Sequence, residues 1–203
     1  MARTSPEGTA VWPYLNKPDK DFDKETGIYH TKLSVSASDA EDTIVSLEKF
    51  LQEAYIEHCK TQERKKLRFA GKPWSDEVDK EGNNTGKIVF KFKMKAKTVS
   101  GIDLRPILVD SDRNPMSDLI GGGSTMIVSY EPRHWYVPSL GVGMTLGLKG
   151  VQVLELKQYT GGTSLADMGF EKRDGFKTST TPEQGQKERE TEAAIQSHSG
   201  GDF

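Results

Sequence analysis

Residues 87–97 read KIVFKFKMKAK, with Ile88, Phe90, Phe92, Met94 and Ala96 on even positions and Lys87, Lys91, Lys93, Lys95 and Lys97 on odd ones. A repeat of two is the side-chain period of a β-strand, and a helix would scatter the same lysines around its circumference. The stretch therefore predicts a half-buried strand with one apolar and one cationic face, broken only at Val89. Neighbouring ammonium groups on a strand face repel, so four consecutive lysines need an anion nearby. Alternate side chains stand about 7 Å apart, close to the step between phosphates along an extended single strand of nucleic acid. The other reading of the same face is an edge strand whose lysines discourage edge-to-edge pairing.

The rest of the chain reads as mostly β after one helix. Residues 27–36, GIYHTKLSVS, alternate as a strand, with Tyr29, Leu33 and Val35 on one side. Ser38-Asp39-Ala40-Glu41 has the form of a capping box, and Ile44, Leu47, Leu51, Ala54, Tyr55 and His58 follow as the stripe of an amphipathic helix reaching about Thr61. The basic run Arg64-Lys65-Lys66-Leu67-Arg68 then reads as a solvated helix end, where cations suit the dipole. A Gly/Asn/Asp-rich loop over 71–86 leads into the lysine strand. Further strands are expected over 105–110, 124–131 and 140–159. In the last, Val142, Met144, Leu146 and Leu148 alternate with Gly141, Gly143, Thr145 and Gly147. Bare glycines on one strand face permit sharp bending or a close approach, as at a barrel corner. About five curved antiparallel strands with one early helix predict a small barrel rather than an open sheet.

Charge and composition narrow the classes. Over the whole chain 28 basic residues meet 30 acidic ones, so the basic character is local. No apolar run approaches a membrane span and MARTSPEGTA lacks a signal-peptide centre, which predicts a soluble, cytosolic protein with no membrane partner. Cys59, His30, His58, His134 and His198 are scattered singly, so neither metal nor other cofactor is expected. From Thr160 onward apolar content collapses, predicting a disordered tail over 163–203 behind a domain over 1–162. A terminal aromatic, Phe203, fits no core there and leaves chance or a partner's pocket.

Four constellations are candidates for chemistry. Arg133-His134-Trp135-Tyr136 lies between Pro132 and Pro138 and reads as a loop with exposed rings; bases stack on such rings without regard to sequence. Trp12 and Tyr14 in WPYLNKPD form a second aromatic-basic group, with core filling as the alternative. Asp110-Ser111-Asp112 with Asp118 could hold magnesium in a nuclease, although DSDRNP reads more naturally as a hairpin turn. Gly121-Gly122-Gly123-Ser124-Thr125 lacks the Gly-Lys-Ser/Thr ending of a nucleotide loop and reads as a turn feeding a strand.

Seven blocks, WPYLNKPD at 12–19, TGIYHTKLSV at 26–35, VFKFKMKAK at 89–97, ILVDSD at 107–112, LIGGGSTMIVSY at 119–130, VGMTLGLKGVQVLEL at 142–156 and the closing GDF, resemble in order the single-stranded DNA-binding protein of short-tailed lytic bacteriophages. The resemblance implies a mainly β protein: an OB-fold five-stranded barrel with an inserted helix and a disordered C-terminal tail. It implies a non-enzymatic homodimer that coats single-stranded DNA in the cytoplasm of the infected host, at the replication fork. It further implies strand annealing, roles in recombination and repair, and a tail that contacts the phage DNA polymerase and helicase-primase. Carried over, the DNA contacts fall on Arg3, Lys91, Lys93, Lys95, Arg133 and Trp135 or Tyr136, and the tail contacts on Asp202 and Phe203. Thr26 stands where the family has arginine, so either Lys24 substitutes or the contact is lost. Residues 182–203 hold five acids against Lys187 and Arg189, a weak mimic of DNA. An RNA-binding or annealing module is the rival reading, and a metal-dependent nuclease the lesser one.

Overall fold

The computed structural model describes residues 2–21 and 23–157; the tail, its boundary at 162–163, Asp202 and Phe203 lie outside the described residues. Among the described residues there are eight strands and one helix: β1 Arg3–Thr4, β2 Gly8–Asp19, β3 Ile28–Ser36, α1 Ala37–Thr61, β4 Trp74–Val78, β5 Asn84–Lys95, β6 Ile107–Val109, β7 Thr125–Val137 and β8 Gly141–Glu155. Strands β2, β3, β5, β8 and β7 pair in that order, and β7 returns to β2, which closes a five-stranded ring. This is the OB-fold barrel with a helix inserted after its second ring strand. The pairs are antiparallel except that β5 and β8 run parallel, Phe92 beside Leu146 and Lys93 beside Gly147; β6 also joins β8 in parallel.

The period-two patterns set the inside of the ring. Phe90, Phe92, Leu33, Val35, Met126, Val128, Tyr130, Val142, Met144, Leu146 and Leu148 are buried together with Leu47 and Leu51 of α1. Each such aliphatic or phenyl side chain contributes about 1.5–3 kcal/mol of transfer free energy, so the ring and the helix stripe supply the fold's main driving force. No helix of the described residues is long and apolar enough to cross a membrane.

Several local expectations are corrected. The N-cap of α1 is Ser36, not Ser38: its hydroxyl accepts from the Asp39 amide at 3.2 Å and donates to the Asp39 carboxylate at 2.7 Å. Capping at Ser36 lets the helix begin directly at the end of β3. The segment 71–86 is not all loop, because β4 pairs with β5, Trp74 opposite Phe90 and Ser75 opposite Val89. That third strand accounts for the odd Val89, which lies between Ser34 and Ser75. Residues 12–19 are strand despite Pro13 and Pro18, with register shifts on either side of Tyr14 that absorb them. Residues 132–137 are not a loop either: β7 runs on to Val137, paired only with β8. Pro132 is tolerated because from Glu131 onward the other edge of β7 has no strand beside it among the described residues.

Candidate nucleic-acid interface

The outward positions of adjacent ring strands assemble one surface. Lys91 and Lys93 alternate with buried Phe90 and Phe92 and are exposed. Register places Lys32 opposite Lys91, His30 opposite Lys93 and Ile28 opposite Lys95. On the next strand Tyr14 is opposite His30, and the rings stack with centroids 4.8 Å apart. The Lys32 ammonium sits 4.3 Å from the centroid of the Trp12 ring. Trp12 is 67% exposed and Tyr14 44%, so neither fills the core. Trp12 also has φ of 48°, a left-handed backbone that costs a bulky residue energy.

On the other side of β5 the surface continues across β8 to β7. Lys93 is beside Gly147, which is opposite Glu131. The Arg133 guanidinium nitrogen Nε lies 3.6 Å from where a Cβ on Gly147 would stand. Farther along, Trp135 is opposite Gly143 and covers it, with its indole Nε1 donating to the Thr145 hydroxyl at 3.2 Å. Cations and rings thus share one outer face: Trp12, Tyr14, His30, Lys32, Lys91, Lys93, Arg133 and Trp135. Two acids sit among them: Asp19, whose carboxylate lies 3.0 Å from His30 Nε2, and Glu131. Glu131 accepts from Arg133 at 3.0 Å and bridges Lys149 at 3.2 Å, and these two hold its carboxyl below the usual range.

The sequence alone left Trp135 and Tyr136 undivided, and the strand divides them. Tyr136 has the opposite parity, and its ring lies 5.7 Å from His58 of α1. His134, on the same side, meets His58 at 3.1 Å and Phe50 at a centroid distance of 5.8 Å. Tyr136 is therefore a packing residue under the helix. Arg3 is also carried elsewhere: it is opposite Tyr130, whose ring faces the core, and its guanidinium donates to the Ser46 hydroxyl at 2.9 Å over the Phe50 ring. Lys24 is exposed in the turn joining β2 to β3, at the Lys95 end of the surface. Thr26 does not mimic the arginine it replaces, for its hydroxyl donates to Asp23 at 2.7 Å; that bond first, and Lys95 among weaker causes, lowers the Asp23 pKa.

Asp110 is engaged in the turn that its sequence implied. Its carboxylate accepts from the amides of Asp112 and Asn114 and from the Asn114 side chain, and Arg113 takes φ of 68°. The glycine run behaves likewise: Ser124 N–H donates to Gly121 and the chain enters β7. Sequence reasoning missed His30 and Lys32, although the same alternation that marked Tyr29 and Leu33 as inward marked these two as outward.

A closed ring of this topology is an OB-fold barrel, here with an aromatic-cationic outer face. No protein-family model matches the chain, and no curated protein matches it. Among solved structures it is similar to gp2.5, a single-stranded DNA-binding protein of bacteriophage T7, with 25% identity, a TM-score of 0.68, and coverage of 88% of this chain and 99% of that one. It is similar in fold to the single-stranded DNA-binding protein of bacteriophage Enc34 in complex with single-stranded DNA, at 16% identity and a TM-score of 0.54, covering 79% of this chain and 89% of that one. The C-terminally truncated form of the Enc34 protein aligns at 15% identity and a TM-score of 0.51, over 77% and 87% of the two chains. The structural neighbours are thus phage single-stranded DNA-binding proteins, as the resemblance implied.

Proposed function

We propose that this chain binds single-stranded DNA without sequence preference, on the outer face of β2, β3, β5, β8 and β7. The observation that carries the reading is the shared face of Lys91 and Lys93 with Trp135, joined across the bare backbone of Gly147. Ammonium and guanidinium groups neutralise phosphates while Trp135, Trp12 and Tyr14 offer π-faces, and neither kind of contact reads a base edge. Sequence indifference follows.

The wider role rests on this binding together with the likeness to T7 gp2.5. In it the protein coats and protects exposed strands at the phage replication fork, in the cytoplasm of the infected bacterium. It also supports annealing, recombination and repair, acts as a homodimer, and recruits the phage DNA polymerase and helicase-primase through a tail ending in Asp202 and Phe203.

The test is titration of the full chain with oligo-dT and with duplex DNA, followed by tryptophan emission, over a salt series. Quenching by oligo-dT alone is expected. If about four phosphates are neutralised, the log–log salt slope is about −3. A flat slope, or equal quenching by duplex, would sink the reading. Competition with a matched RNA oligonucleotide separates DNA from RNA preference, since nothing on this face addresses a 2′-hydroxyl.

A further inference from the structure

The run Arg64-Lys65-Lys66-Leu67-Arg68 does not end the helix. α1 stops at Thr61, Glu63 turns left-handed with φ of 51°, and the Arg64 amide reaches back to the Cys59 carbonyl at 3.0 Å. Beyond this turn the run is pinned at two points. Tyr55 Oη accepts from the Leu67 amide at 3.0 Å and donates to the Leu67 carbonyl at 3.2 Å, which buries Leu67. Arg68 then joins the free edge of β8: its carbonyl accepts from the Val142 amide at 2.8 Å, and Ala70 N–H donates to Val142 at 2.8 Å. Arg64, Lys65, Lys66 and Arg68 are all exposed, and among the described residues none has a carboxylate partner.

This docking puts Arg68 at the end of a row on the outer face of β8. A Cβ on Gly141 would stand 3.0 Å from the Arg68 Cβ and would overlap its carbonyl, so glycine at 141 is what lets the segment approach. Two residues on, Gly143 lies under Trp135, and four further on, Gly147 lies under Arg133. Same-face positions recur about every 7 Å along a strand. The order along the row is therefore cation, ring, cation, with Arg68 roughly one nucleotide step from the indole.

We propose that Arg68, with Arg64, Lys65 and Lys66 behind it, is a phosphate subsite for the nucleotide beside the base stacked on Trp135, on the side away from Arg133. The inference rests on the strand-binding reading and extends its track beyond the barrel to the end of α1. Guanidinium suits the role because its fork pairs two phosphate oxygens at once.

The experiment measures oligo-dT binding over a salt series for the wild type, Arg68→Gln, Arg68→Lys and the fourfold variant Arg64→Gln/Lys65→Gln/Lys66→Gln/Arg68→Gln. These side chains are exposed and the Arg68 backbone bonds survive each change. Arg68→Gln is expected to make the slope shallower by about 0.7, and the fourfold variant by about 1.4–3, at about 0.7 per phosphate. Arg68→Lys restores the slope, and tryptophan quenching at saturation stays as in the wild type, because the ring is untouched. A wild-type slope in both glutamine variants overturns the subsite and leaves the strand-binding reading intact. A wild type that itself shows no salt-dependent binding overturns both.

Discussion

Trp135 packs against Gly143: a Cβ at position 143 would stand 2.8 Å from indole Cε2 and closer still to Cζ2. The glycine is required by this contact and not by its backbone, whose φ is ordinary. The substitution Gly143→Ala therefore lifts the ring without straining the strand. Stacking contributes about 1–3 kcal/mol per base, so oligo-dT affinity is expected to fall between about fivefold and about 150-fold, with shifted tryptophan emission and an unchanged salt slope. Emission that shifts while affinity stays constant would remove Trp135 from the binding surface.

Trp135 and Tyr136 point to opposite sides of β7, and on the proposed reading they are expected to separate by function. Trp135→Ala is expected to weaken binding and leave the melting temperature nearly unchanged. Tyr136→Ala loses the packing on His58 and is expected to cost about 1–3 kcal/mol of stability with little change in affinity for the folded protein. Paired measurements by thermal unfolding and fluorescence titration check this, and the reverse pattern refutes the assignment.

Lys91 and Lys93 are exposed neighbours on β5 and have no ion-pair partner among the described residues. The double change Lys91→Gln/Lys93→Gln is expected to make the salt slope shallower by about 1.4, for two phosphates at about 0.7 each, equally for dT and dC oligonucleotides. Dependence on base identity would argue against phosphate contact.

Glu131 sits among the cations, and Arg133 and then Lys149 hold its pKa below the ordinary carboxylate value. It is ionised at neutral pH and takes up a proton only as pH falls through that lowered value. Glu131→Gln removes the repelling charge and releases Arg133, so tighter DNA binding is expected at pH 7, by a fewfold. The gap between variant and wild type should close in acid, where the wild-type carboxyl is itself neutral. A gap independent of pH would mean the glutamate acts through shape.

Acid stability offers a separate check at Asp19. His30, first, and the Asp21 amide lower its pKa. A depressed carboxylate stabilises the fold above its unfolded pKa and loses that contribution as pH falls through the folded one. Asp19→Asn should flatten the acid limb of the unfolding profile below about pH 4; an unchanged limb would show that the bond adds nothing to folding.

The parts of this molecule governed by a single strand's alternation were legible in the chain. Phe90 and Phe92 point in, Lys91 and Lys93 out, and Val142 to Leu148 line the ring because a period of two admits no other burial. What was not legible depended on a neighbour supplied from far away. Pro132 signals a strand's end only if both edges are paired, and here one is open. Val89 breaks the lysine pattern where β4 pairs alongside β5, and a run of cations after α1 reads as a helix end unless the Tyr55 hydroxyl and the edge of β8 are known to hold it. Tyr136 and Arg3 were assigned by position in a motif, and the side of the strand then separated them from the lysines.

The edge of β7 beyond Tyr130, beside which no strand lies among the described residues, has a consequence for crowding. Copies lined up on one polynucleotide would bring such edges within reach of each other, and an unsatisfied row of amides and carbonyls invites a second ribbon to add itself. Pro132, which offers no amide, interrupts that row near where it begins. On the proposed binding reading, neighbouring copies on one strand would thereby remain separable.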